Sequence, residues 1–217
     1  MPITILAELR EEWQDAWQSA WYRKRVIGGL LLVILILSLF PVFFQTIERR
    51  QGYLMPDPLL AWLPPYNVSL AIFVIIWAIS LLSVFRAAQD PYMFVTFIWA
   101  YVLLCILRTL SITLVALEPP VGLIGLVDPI SNFFYGKNFV TKDLFFSGHT
   151  STVFLLFLCL PGRRDKGLAL MATVAVGGLL LVQHVHYTLD VLGAILFAWL
   201  SFWTARRVIV RPDDMMH

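Results

Sequence analysis

Two histidines and an aspartate, His149, His186 and Asp190, have the residue types that nucleophilic and acid–base catalysis calls for. His186 and Asp190 are four positions apart, so a helix running through both places them on one face. A carboxylate there holds the imidazole in one orientation and stabilises its cationic form, which suits a histidine nucleophile. His149 then serves as general acid and base. It lies in the run Asp143-Leu144-Phe145-Phe146-Ser147-Gly148-His149-Thr150. Ser147 caps a helix start, where backbone N–H groups favour an anion, and Gly148 and Thr150 are its small neighbours. Taken singly, each histidine also fits a core position satisfied by a backbone carbonyl; it is their convergence at one membrane depth that points to a site.

The surrounding polar residues divide by setting. Asp143 either caps the helix carrying His149 or supports the catalytic group. Tyr187 and Thr188 shape the turn after His186. His184 is two residues from His186, which on a helix turns it nearly the opposite way, and it is read as structural. Arg108 sits inside an apolar stretch, roughly 13 Å below its end by helical rise. A cation at that depth needs a partner, either a lipid phosphate or an internal carboxylate. Cys105 and Cys159 fall in separate apolar runs and read as buried small hydrophobes. No group of residues has metal-ligand spacing, so neither a metal nor another cofactor is expected.

The elements that must position these residues are membrane helices. The chain is 59% hydrophobic and 14% charged, with a mean hydropathy of +0.79. A soluble chain carries roughly 25% charged residues, so lipid must cover much of this surface. A net charge of +2 gives no reason to expect a nucleic-acid partner. The expected fold is an all-α polytopic membrane protein with a bundle of six transmembrane helices. Span one runs from Val26 to about Ile47, with Pro41 as a kink near its far end. Residues 48–66, with four prolines, form an ordered loop. Span two covers about Asn67–Phe85, span three about Pro91–Leu117 and span four about Leu144–Leu160. Residues 118–142 form the longest loop, with Asp128, Asn132, Gly136 and Lys137. The apolar stretch Gly167–Ala205 is too long for one crossing and divides into spans five and six around Gln183–Thr188.

Ahead of span one, Leu6, Leu9, Trp13, Trp17 and Trp21 make one apolar face. Residues 1–25 therefore read as an amphipathic interfacial helix lying on the membrane or packed on the protein's own end, stopped by Arg23, Lys24 and Arg25. The catalytic transmembrane domain is expected over 26–207 and a cytoplasmic tail, with His217, over 208–217. With the N-terminus cytoplasmic, the inside segments hold Arg10, Arg23, Lys24, Arg25, Arg86, Arg163, Arg164, Lys166, Arg206, Arg207 and Arg211. The outside loops hold only Arg49, Arg50, Lys137 and Lys142. That asymmetry predicts both termini inside and the histidine site on the non-cytoplasmic side. The compact length suggests a bacterial inner membrane.

Ser147-Gly148-His149-Thr150 followed by His186-Tyr187-Thr188-Leu189-Asp190-Val191 resembles the sphingomyelin synthase family, a branch of the type 2 phosphatidic acid phosphatase (PAP2) superfamily. The family's signatures are C-G-D-x3-S-G-H-T and H-Y-T-x-D-V. This chain matches the first from Asp143 through Thr150, with Thr141 and Lys142 where Cys-Gly would stand, and the second from His186 through Val191. Met55-Pro56-Asp57 and Arg108 with Thr113 only faintly echo two upstream signatures. The resemblance implies that a phosphoryl head group, such as phosphocholine or phosphoethanolamine, passes from a glycerophospholipid to a lipid alcohol, ceramide or diacylglycerol. His186 would attack phosphorus and become a phosphohistidine, oriented by Asp190. His149 would protonate the leaving alcohol and then deprotonate the acceptor or, in phospholipase C-like hydrolysis, water.

Two other functions compete. A PAP2-type lipid phosphatase would carry K-x6-R-P, which the chain lacks, and an arginine six residues before the second histidine, where Leu180 stands. A non-catalytic lipid-binding or transport protein accounts for the spans but not for the paired histidine motifs.

Overall fold

The computed structural model describes residues 2–126 and 140–210, with side chains from Ala7 onward. Residues 127–139 of the long loop, including Asp128, Asn132, Gly136 and Lys137, and the tail 211–217, including His217, lie outside the described residues. The described chain is helical: α1 (Pro2–Gln18), α2 (Ala20–Glu48), α3 (Pro58–Trp62), α4 (Ser69–Ala87), α5 (Pro91–Leu114), α6 (Gly148–Cys159), α7 (Arg163–Val182) and α8 (Thr188–Thr204). Helix α8 continues into a π-helical turn, Ala205–Ile209. Among the described residues the β-pairing is a single isolated bridge, Tyr53 with Leu117.

Among the described residues five helices are long and apolar enough to cross a membrane: α2, α4, α5, α7, and α8 with its π-helical extension. They mark the chain as an integral membrane protein. The expected fourth span differs. Its helix, α6, has 12 residues, about 18 Å by helical rise, and starts at Gly148 instead of Leu144. Phe145 and Phe146 have φ of 71° and 115°, which no helix accommodates, and Ser147 is the N-cap from which α6 starts. Short as it is, α6 is central: it packs on α4, α5, α7 and α8. Its residues Val153, Leu155 and Leu156 are buried. Gly177 of α7 makes room for the crossing, because a Cβ there would stand 2.8 Å from Val191 Cγ1 and 3.7 Å from Thr150 Cγ2. Helix α2 lies at the rim against α5, and its outward face, including Leu31, Ile34 and Val42, is exposed as a lipid-facing surface would be.

The N-terminal boundary also differs. The expected stop at Arg23–Arg25 is a break at Ser19, and the basic triplet lies within α2. Ser19 Oγ accepts the Tyr22 N–H at 3.4 Å. Arg23 Nη1 donates to the Trp17 and Gln18 carbonyls at 2.7 and 2.9 Å, closing the end of α1. Trp13 is packed on the protein: its Nε1–H donates to the Ala88 carbonyl at 2.8 Å and its ring lies edge-on to Phe94. Trp17 remains 45% exposed.

Candidate functional site

The site is built on the N-termini of α6 and α8. At the start of α8, Tyr187 is the N-cap and its N–H donates to Asp190 Oδ2 at 3.1 Å, so a carboxylate three residues on satisfies an orphan donor of the first turn. The same Oδ2 lies 3.2 Å from His186 Nδ1. The expectation that His186 and Asp190 meet as neighbours on one helical face needs correction. The helix begins at Thr188, His186 precedes it, and the two side chains meet across the cap. Asp190 is fully buried and His186 nearly so.

Asp190 also holds α6. Its Oδ1 accepts the Phe145 N–H at 3.1 Å, and its backbone carbonyl accepts the Ser147 N–H at 2.9 Å. Those bonds, with Phe146 stacked on Phe197 at 4.6 Å between ring centroids, stabilise a turn whose positive φ values cost free energy for non-glycine residues. One buried aspartate thus joins the two histidine-bearing segments: His186 stands four residues before it, and His149 two residues beyond Ser147. The His149 ring is half-buried, edge-on to Phe73 of α4 at 5.9 Å.

Arg108 resolves to an internal carboxylate. Its Nη2 pairs with Asp143 Oδ2 and its Nη1 donates to the Phe146 carbonyl. Gly148 accounts for the fit, because a Cβ there would lie 2.6 Å from Arg108 Cζ. The guanidinium therefore lies against the first residue of α6. Asp143 is not a cap of α6; Ser147 is, accepting the Thr150 N–H at 3.3 Å. Asp143 Oδ1 is buried and has no hydrogen-bond partner among the described residues. The Thr150 side chain is buried and lies at the α7 crossing beside Gly177.

The turn between α7 and α8 is pinned from several sides. His184 has φ 54°, and its Nδ1 and Nε2 lie 2.7 Å from the Val121 carbonyl and 2.9 Å from the Leu63 carbonyl, contacts that tie the turn to both loops. Buried Gln183 donates to Ser69 Oγ at 2.8 Å and accepts the Val68 N–H at 3.0 Å. Tyr187 Oη donates to the Glu118 carbonyl at 2.9 Å.

Two groups escaped the sequence reading as site elements. Asp57 accepts the Thr188 N–H at 2.6 Å and the Thr188 hydroxyl at 3.0 Å. Burial alone would raise the pKa of its carboxyl, but the hydrogen bonds from Thr188, Leu60 and Leu59 outweigh it and hold it below the ordinary value. Glu118 is likewise lowered, first by its hydrogen bond from Lys142 and then by the Gly52 N–H. For Asp57 the sequence signal was the faint signature echo at Met55-Pro56-Asp57, and for Glu118 only its loop position.

No curated protein gives a significant match to the chain. A family model, the PAP2 superfamily C-terminal family, matches residues 142–207. The matched segment contains Asp143, Ser147, Gly148, His149, Thr150, His186, Tyr187 and Asp190, and leaves Asp57 and Arg108 outside. The segment that carries both histidine motifs is thus similar to the C-terminal part of the PAP2 superfamily, which supports lipid phosphatase or phosphotransferase activity.

Proposed function

We propose that this membrane protein transfers a phosphoryl head group from a glycerophospholipid to a lipid alcohol through a phosphohistidine on His186. The observation that carries the reading is the Asp190 carboxylate on His186 Nδ1. The tautomer that donates from Nδ1 leaves the Nε2 lone pair for attack on phosphorus. Nε2 forms the P–N bond as the P–O bond to diacylglycerol breaks, and His149, protonated at the outset, gives its proton to the departing oxygen. The acceptor hydroxyl then returns a proton to His149 while its oxygen attacks phosphorus and the P–N bond breaks. In this reading the N–H groups at the α6 N-terminus, with the Arg108 guanidinium beside Gly148, would meet the phosphate charge. The basic-residue asymmetry supports a site on the non-cytoplasmic side.

A PAP2-type phosphatase is the second reading, favoured by the family match itself. Against it stands the pairing of Arg108 with Asp143, which leaves little net positive charge for a phosphomonoester dianion. A phosphodiester carries one charge and asks for less. The test is product analysis by mass spectrometry. Purified protein in liposomes receives phosphatidylcholine, phosphatidylethanolamine and phosphatidic acid, with ceramide or diacylglycerol as acceptor. Head-group transfer from a phosphodiester is the expected result. Rapid release of phosphate from phosphatidic acid, with both phosphodiesters inert, would establish the phosphatase instead.

A further inference from the structure

Asp57 is 131 positions before Thr188 in sequence yet accepts both hydrogen bonds that residue offers, at 2.6 and 3.0 Å. It also accepts the Leu59 and Leu60 N–H groups at 3.0 and 3.3 Å, so one carboxylate caps α3 and the first turn of α8 together. The rest of the strap that it begins takes the same path. The Leu63 carbonyl meets His184 Nε2, the Tyr66 N–H donates to the Val182 carbonyl at 3.1 Å, and the Val68 N–H donates to Gln183 Oε1. Residues 57–68 therefore grip the segment 182–188 at four points, and His186 lies within that segment.

We propose that Asp57 is a positioning residue that keeps Asp190 available to His186, an inference that rests on the functional reading above. The first turn of α8 presents neighbouring donors on Tyr187 and Thr188, and Asp190 is its acidic residue. Asp190 Oδ2 already serves the Tyr187 N–H and His186 Nδ1. Asp57 takes the Thr188 N–H. Without it that donor is orphaned, and the carboxylate of its own first turn is drawn to it at the expense of His186. The Asp57 substitution acts at a distance from the reacting atoms, through the orientation of one ring.

Asp57→Asn removes one of the two acceptor oxygens and turns an amide N–H toward donors. In reconstituted protein normalised for active sites, kcat should fall by about tenfold, the effect of one weakened buried charge-assisted hydrogen bond. KM for the donor lipid should hold. In an Asp190→Asn background the same change should cost little more, because both act on one interaction. Additive losses would overturn the proposal. A readout independent of turnover is the hydrogen–deuterium exchange of each histidine C2 position against pH, followed by mass spectrometry. Asp57→Asn should shift the His186 curve in the same direction as Asp190→Asn and leave that of His149 in place. An unshifted His186 curve would reduce Asp57 to a loop anchor, whatever reaction the protein performs. A shifted curve in a protein that transfers no head group would keep the positioning role and reject only the reaction. Should Asp57→Asn fail to fold, Asp57→Ser keeps a short side-chain cap for the α3 N-terminus and removes the acceptor of the Thr188 N–H. It should shift the His186 curve in the same direction, and no shift would overturn the proposal.

Discussion

Gly148→Ala adds a single methyl group at the point where the Arg108 guanidinium lies on α6. The new Cβ would stand 2.6 Å from Cζ, 2.8 Å from Nη2 and 2.9 Å from Nη1, distances that real Cβ atoms do not show. The arginine is the element that must give way, because the α6 backbone is tied to Asp190 through Ser147 and Phe145. Moving it breaks or weakens the Asp143 ion pair and the bond to the Phe146 carbonyl, each worth roughly 1.5–3 kcal/mol as a charge-assisted hydrogen bond. The helical preference of Ala over Gly returns at most about 1 kcal/mol. A net loss of about 2–3 kcal/mol corresponds to a fall in melting temperature on the order of 5–10 °C for a chain of this size. Under the proposed function catalysis should fall by at least about tenfold, because the cation leaves the helix end proposed to receive the phosphate. Thermal unfolding in detergent and head-group transfer in liposomes are the assays. Gly178→Ala, where no described residue lies within 4 Å, is the control and should be neutral or slightly stabilising. In an Arg108→Ala background Gly148→Ala should become nearly silent. A Gly148→Ala protein that melts and turns over like the parent, or one equally damaged when Arg108 is absent, would refute the reasoning.

His186→Ala should abolish transfer, Asp190→Asn should leave a small residual rate, and His184→Ala should lower the melting temperature while keeping most of kcat; a His184 variant as inactive as His186→Ala would reassign the nucleophile. The lowered carboxyls of Asp57 and Glu118 contribute stability that is complete above their ordinary values of 3.8 and 4.5, and that is lost as pH falls through the lower folded values. Acid melting curves should therefore lose part of their slope in Asp57→Asn, and an unchanged slope would show that the carboxylate is not held as described. For sidedness, single cysteines at Val121 and Arg164, in a background lacking Cys105 and Cys159, should react with an impermeant thiol reagent from opposite faces of the membrane; labelling from one face would end the topology.

The motifs were legible because they are local. Ser147 as a cap and the nearness of Asp190 to His186 come from spacing, although the two meet across a helix start and not on one helical face, and the apolar runs located the long helices. The failures share a physical origin in contacts between distant segments. The start of α6 was misplaced because the positive φ values of Phe145 and Phe146 are sustained by Asp190, 45 residues from Phe145. The choice between phosphate and carboxylate for Arg108 depended on Asp143, 35 residues on. Asp57 reads only as part of a faint signature echo, with no partner, until the loop is folded onto α8. The break at Ser19 was masked by the arginines after it, which looked like a helix stop but include Arg23, a donor to the end of α1.

The central claim is a covalent bond from phosphorus to His186, and trapping that bond tests it most directly. Protein incubated with a phosphodiester lipid carrying an isotope-labelled head group, without acceptor, is quenched and digested under conditions that preserve phosphoramidates, and its peptides are mapped by mass spectrometry. The account predicts a head-group phosphoryl adduct on His186 that forms in the wild type, is absent in His186→Ala, and disappears when lipid alcohol is added before quenching, with the label recovered in the acceptor. Labelled product formed at full rate with no adduct on the protein, or an adduct on His149 in place of His186, would contradict it.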